Sequence, residues 1–321
     1  MNNFKKVGLS ALAGSLMAMS ANAADVSLSG GASVGIYQDN EDQASGYFMN
    51  DNVNMTISGE TDGGLTVTTK LELDAGYTST APFDNRSISI GSDDMGTITF
   101  HGHGGDSVLS GWDDMTPTAY EEPWALVDAD SATTSVANKE VTLINGQGGD
   151  NLWRFDSPSF SGVTVHATYI QGNKAATSGD HGRVDSYNDF GIKISPEMVE
   201  GLEVGAAWGT SEATAGTEFD ESTFYIKYAY GPVTVGYQES EIDAPTATDS
   251  DESQMFGISY AVTDSFSIAY SESSFDLGST TTDQESDGIS ASYTMGGITV
   301  AGAMNSTDNI AGSTATTADK D

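Results

Sequence analysis

Apolar or aromatic residues alternate with small or polar ones along nearly the whole chain after residue 24. A period of two is the mark of strands whose two faces meet different surroundings. Fifteen segments carry it: 26–37, 47–59, 65–77, 86–92, 97–103, 151–157, 163–171, 183–194, 202–209, 222–230, 233–239, 253–260, 266–273, 285–293 and 298–305. No amphipathic helical repeat of useful length interrupts them, so the pattern predicts an all-β chain.

The connections alternate as well. Even-numbered segments are followed by tight turns such as Glu60 to Gly64, Asp93 to Gly96, Gly231-Pro232 and Thr294 to Gly297, rich in the residues that turns require. Odd-numbered segments are followed by longer acidic stretches such as QDNEDQASG, TSEATAGTEFDE and IDAPTATDSDE. Short turns at one end and long loops at the other predict an up-and-down antiparallel transmembrane β-barrel.

Parity then assigns the two faces. In 222–230, Phe224, Ile226, Tyr228 and Tyr230 share one face, and Tyr225, Lys227 and Ala229 the other. Lys70 opposes Val67, Leu71 and Leu73; Arg154 opposes Trp153 and Phe155; Lys193 opposes Ile192 and Ile194. All four cations therefore point to a watery lumen, since a charge toward mid-bilayer lipid costs about 2 to 4 kcal/mol. A soluble β-sandwich gives the same alternation. It offers no reason for Tyr230, Tyr260 and Tyr293 to stand level at the short-turn ends, where a membrane-interface girdle would put them.

Composition narrows the class further. Lys5 and Lys6, the apolar VGLSALAGSLMAM and Ala21-Asn22-Ala23 form an export signal over residues 1–23, leaving 24–321 as a single barrel domain. The formal charge of −36, two of the eleven Lys and Arg lying in the leader, excludes phosphate-directed nucleic-acid binding. Cysteine is absent, so disulfides do not supply the stability.

The phrases DVSLSGGASVGIY, VNMTISGETDGGLTV, MGTITF and WRFDSPSFSGVTVHATY, in this order, resemble the general diffusion porins of alphaproteobacterial outer membranes. The resemblance implies a sixteen-stranded barrel, a homotrimer in the outer membrane of a Gram-negative cell, and a third loop folded into the lumen to set the pore size. Its function would be passive diffusion of ions and small hydrophilic solutes, with no enzymatic step. The sequence departs from this in strand number: fifteen segments are found where single-chain bacterial barrels have an even count, so a final strand is expected beyond the last segment.

A long third loop is also visible without the family, over about 104–150. It carries Asp106, Asp113, Asp114, Glu121, Glu122, Asp128 and Asp130, with Trp112, Tyr120 and Trp124. Folded inward, it would set its carboxylates opposite Lys70, Arg154, Lys193 and Lys227, a field across a narrow opening. Few cations and many carboxylates predict a mild cation preference.

Other groupings have plainer readings. His101 and His103 share a lumen face and could hold Zn or Cu, but polar lining is the expectation, with no metal site. Asp128-Ala129-Asp130 and Asp249-Ser250-Asp251-Glu252 lack EF-hand spacing, which leaves only weak Ca²⁺ binding by acidic loops and no cofactor. No G-x-S-x-G occurs, and His166 has no evident nucleophile partner. The first segment's outward residues, Val26, Leu28, Gly30, Ala32, Val34 and Ile36, are small enough for a close subunit contact, though local glycine usage gives the same pattern. Lipid and lipopolysaccharide are the expected surroundings. A plugged, adhesin-like barrel and a substrate-specific channel remain the alternatives.

Overall fold

A computed structural model describes residues 24–38, 45–74, 83, 85–123, 146–172, 186–212, 218–243, 250–278 and 280–314. The export signal, Trp124, Asp128, Asp130 and Asp249 lie outside the described residues. Fifteen strands form one sheet: β1 (Asp25–Gln38), β2 (Ser45–Glu60), β3 (Thr66–Asp74), β4 (Asn85–Ser92), β5 (Gly96–His103), β6 (Leu152–Asp156), β7 (Val163–Ile170), β8 (Ser186–Ile194), β9 (Leu202–Glu212), β10 (Glu218–Tyr230), β11 (Val233–Asp243), β12 (Asp251–Thr263), β13 (Phe266–Asp276), β14 (Gln284–Met295) and β15 (Ile298–Asp308). Every strand pairs with its neighbours in sequence, so the order in the wall is the order in the chain. Among the described residues β1 pairs with β2 alone and β15 with β14 alone.

The strands arise where the alternation predicts them, but several run further on the long-loop side. β11 continues to Asp243, β13 to Asp276 and β15 to Asp308. Past the apolar band the outward residues Glu241, Asp243, Ser274 and Asp276 turn polar while the inward Ile242 and Phe275 pack with Met255 and Leu277, so the outward stripe ends while the hydrogen-bond ladder goes on. The stretch after β5, read as strandless, also holds a two-residue ladder that joins Gly105–Asp106 to Gly148–Gly149 and ties the two feet of the third loop together. At the other end the turns are tight. Gly231 takes φ 57°, a left-handed value that glycine enters at little cost, and so joins Tyr230 to Val233 through only two residues.

The wall is inverted relative to a soluble protein. Tyr225 is 0% exposed while its neighbour Phe224 is 44% exposed. Along β10 to β14 the inward positions Thr223, Gln238, Ser240, Ser253, Ser271 and Ser286 are buried, while Ile226, Tyr228, Ile258, Ile268, Tyr270 and Ile289 stand outward and uncovered. An apolar exterior around a polar interior is what a bilayer selects and water does not.

Candidate functional site: a loop seated inside the barrel

The third loop leaves β5, passes through a short 3-10 turn at Ser110–Trp112 and lies against the inner wall. Successive wall side chains take hold of its backbone. The Arg154 guanidinium of β6 donates to the carbonyls of Asp106 and Ser107, both at 3.2 Å. Asp189 of β8 accepts from Leu109 N–H at 2.9 Å and from the Tyr187 hydroxyl at 3.1 Å. Gln238 of β11, wholly buried, donates to the Trp112 carbonyl at 2.6 Å and accepts from Met115 N–H at 2.5 Å. Ser290 of β14 accepts from Ala119 N–H at 3.0 Å, and Asn305 of β15 donates to the Glu122 carbonyl at 2.9 Å. On the return, Glu221 of β10 accepts from Gly146 N–H at 3.0 Å.

These bonds satisfy backbone groups that a buried loop would otherwise leave unpaired, at about 1 to 3 kcal/mol each. Apolar packing adds to them: Val108, Leu109 and Trp112 form one cluster with Ala207 and Tyr225. Inward glycines make the room. A Cβ on Gly191 would stand 2.6 Å from Val108 Cγ1, and one on Gly209 2.7 Å from Leu109 Cδ1.

The four strand cations are placed differently from one another. Lys227 Nζ meets Glu203 Oε1 at 3.1 Å and lies 5.4 Å from the Tyr225 ring centroid, so its first partner is on its own wall. Arg154 Nε likewise meets Asp156 Oδ1 at 3.0 Å, and Asp156 also accepts His166 Nδ1 at 2.6 Å. Lys70 lines a recess of about 380 Å³ with Arg154, His101, Glu72, Asp106 and Asp156. Lys193 follows Gly191 on the same inward face.

Of the loop carboxylates, Asp106 sits at the foot, beside Lys70 and Arg154. Asp113, Asp114, Glu121 and Glu122 lie close enough together to interact. Burial and then the nearby Glu122 and Asp106 raise the Asp113 carboxyl to about 6, against backbone N–H groups that favour its charge. Burial, a hydrogen bond with Glu122 and the charges of Glu122, Asp113 and Glu121 raise Asp114 to about 8. At neutral pH the pair therefore carries less than its full formal charge.

The histidines go to separate places. His103 Nδ1 is paired with Asp150, His101 packs over Gly105, and the His166 ring stands edge-on to Trp112 at 5.6 Å. Among the described residues no three His, Asp or Glu groups converge on a metal position. Apart from Arg154, the wall residues that hold the loop are not among those the sequence singles out. Their signal was there: Asp189, Glu221 and Gln238 are polar groups at inward positions of otherwise ordinary strands.

A polar-lined barrel with an apolar exterior and an internally latched loop defines a membrane channel with a built-in constriction. The profile of the Gram-negative porin family matches residues 8–320, and the chain belongs to that family. It is thus an outer-membrane diffusion pore, in a family and fold of channels without an enzymatic step. Among solved structures it is similar to the anion-selective porin from Comamonas acidovorans, with TM-score 0.67 and 15% identity over 89% of each chain. It is also similar to the trimer form of OmpT from Vibrio cholerae, with TM-score 0.64 and 13% identity over 89% of each chain. A mutant Rh. blastica porin aligns with TM-score 0.62 and 15% identity over 92% of this chain and 96% of its own. No curated protein matches the sequence.

Proposed function

We propose that the pore prefers cations and passes small hydrophilic solutes passively, as a homotrimer embedded in outer-membrane lipid and lipopolysaccharide, with no catalytic step of its own. The observation that carries the ion preference is the crowding of Asp113, Asp114, Glu121 and Glu122 in the loop, while Arg154 and Lys227 spend their charge on Asp156 and Glu203 of the wall. The likeness to an anion-selective porin concerns the fold, and at 15% identity leaves the lining charge to each chain. Selectivity of a wide channel follows the charges that ring its narrowest part. The preference is mild because most other carboxylates lie where salt screens them.

The test is a planar-bilayer recording under a KCl gradient. Large ohmic steps in groups of three, with a reversal potential leaning to K⁺, are expected. Silence from a folded trimer would favour a plugged, adhesin-like barrel. The subunit contact is assigned to the outward face of β1. Ala32 is the informative position there, because a side chain on Gly30 would collide with the Asn52 carbonyl inside the same sheet. Ala32→Trp is expected to dissociate the trimer on native gels, and an unchanged trimer would move the contact elsewhere.

A further inference from the structure

Two glycines face each other on the inner wall: Gly236 of β11 is directly opposite Gly257 of β12. A glycine inside a strand weakens it, and one that persists there marks a close approach of another backbone. Here that backbone is the loop at Pro117. A Cβ on Gly236 would stand 2.5 Å from Pro117 Cδ, and one on Gly257 would stand 2.7 Å from the Pro117 carbonyl oxygen and 3.0 Å from Cδ. The next inward pair is Gln238 opposite Met255, and Gln238 is the side chain that holds both the Trp112 carbonyl and Met115 N–H. Its amide is itself fixed, since Nε2 also donates to Thr223 Oγ1 at 2.9 Å.

We infer that Gly236, Gly257 and Gln238 form a seat that fixes how far the constriction loop stands out from the wall, and so act as positioning residues for pore size. The seat grips the loop at residues 112, 115 and 117, and Asp113 and Asp114 are the carboxylates carried between the grips. A proline suits the socket: its ring fills the space the two missing side chains leave, and its fixed φ stiffens the segment. Any side chain in the socket must lift the loop toward the axis. This inference rests on the pore reading for its consequence but not for its geometry, and the two are tested separately.

The experiment uses the full chain folded in detergent, with two readouts: the rate of proteolytic cutting within the third loop, and single-channel conductance with reversal potential. Gly236→Ala places one methyl against Pro117 Cδ; the other close neighbour, Lys227 Cγ at 3.3 Å, belongs to a flexible stem that can yield. It is expected to speed loop cutting and to reduce the conductance step about twofold. Pro117→Ala removes the Cδ that the methyl meets, so the double variant Gly236→Ala/Pro117→Ala is expected to recover the conductance. That recovery is non-additive, as contacting residues require and a general loss of stability does not produce. Gln238→Leu, close in size, deletes the clamp and is expected to raise loop cutting and current noise; it decides the matter if Gly236→Ala does not fold. The proposal is overturned if Gln238→Leu and Gly236→Ala leave cutting and conductance unchanged, or if the double variant conducts no better than Gly236→Ala. A silent wild-type protein whose loop cutting still responds to these changes would keep the seat and reject the pore.

Discussion

The inner wall has two regions built from the same alternation. On β8 to β11 and β14 the inward Asp189, Glu221, Gln238 and Ser290 bond the loop backbone, Gly191, Gly209 and Gly236 make room for it, and Ala207 and Tyr225 pack against its Val108, Leu109 and Trp112. From β3 to β6 the inward positions Lys70, Ser87, Ser89, Thr99, His101 and Arg154 surround an open recess. The first region mainly holds the loop backbone, and among these residues of the second only Arg154 does so while the others line the recess. Polarity alone does not separate them, because both are polar. The burial of their hydrogen bonds and the glycine gaps that admit the loop do.

Stability should respond most strongly to changes in the first region. Asp189→Leu leaves Leu109 N–H buried without its acceptor, and a loss of about 1 to 3 kcal/mol is expected in denaturant unfolding of the detergent-folded barrel. Lys70→Ala in the open region should stay within about 0.5 kcal/mol. Equal losses at both positions would erase the distinction.

The next effect is on selectivity. Asp113→Asn together with Asp114→Asn should move the reversal potential toward anions under a KCl gradient, and an unmoved potential would mean that these carboxylates do not govern permeation.

A smaller and continuous version of the same effect should come from pH. Both carboxyls are raised, Asp113 to about 6 and Asp114 to about 8, so each is neutral below its value and charged above it. Raising the pH from 5 to 9 should therefore increase cation preference in two overlapping steps. The sign for stability is opposite. The folded state holds these protons more tightly than the unfolded chain, so the contribution to loop seating is full below the ordinary value of 3.8, declines above it, and is lost by about 6 for Asp113 and about 8 for Asp114. Selectivity that stays flat across that range in the wild type, with loop cutting equally flat, would remove these groups from both roles.

Much of this was legible in the sequence. Period two locates all fifteen strands because lipid and water impose opposite demands on alternate residues, and parity alone turns Lys70, Arg154, Lys193 and Lys227 inward. The length of the stretch after β5 marks a loop with work to do. The seat was harder to see. Gly191, Gly209, Gly236 and Gly257 read as weak points of strands, and only the presence of Val108, Leu109 and Pro117 against them shows that they are sockets. Cross-strand partners were equally hidden. Glu203 stands opposite Lys227 through a register that spacing within one strand does not reveal, although Arg154 and Asp156 share a face two residues apart and could have been paired on that ground. Strand ends blur where the outward stripe turns polar, as at Asp243 and Asp276.

The latches also impose an order on assembly. Ser290 meets Ala119 across 171 residues of sequence, and Asn305 meets Glu122 across 183, whereas every rung of the wall joins neighbours in the chain. Closing such distances costs chain entropy that only a finished wall offsets. The far anchorage of the loop at Ala119 and Glu122 therefore requires β14 and β15 in place, whereas Arg154 and Asp189 can hold its near foot against a wall that is only half built.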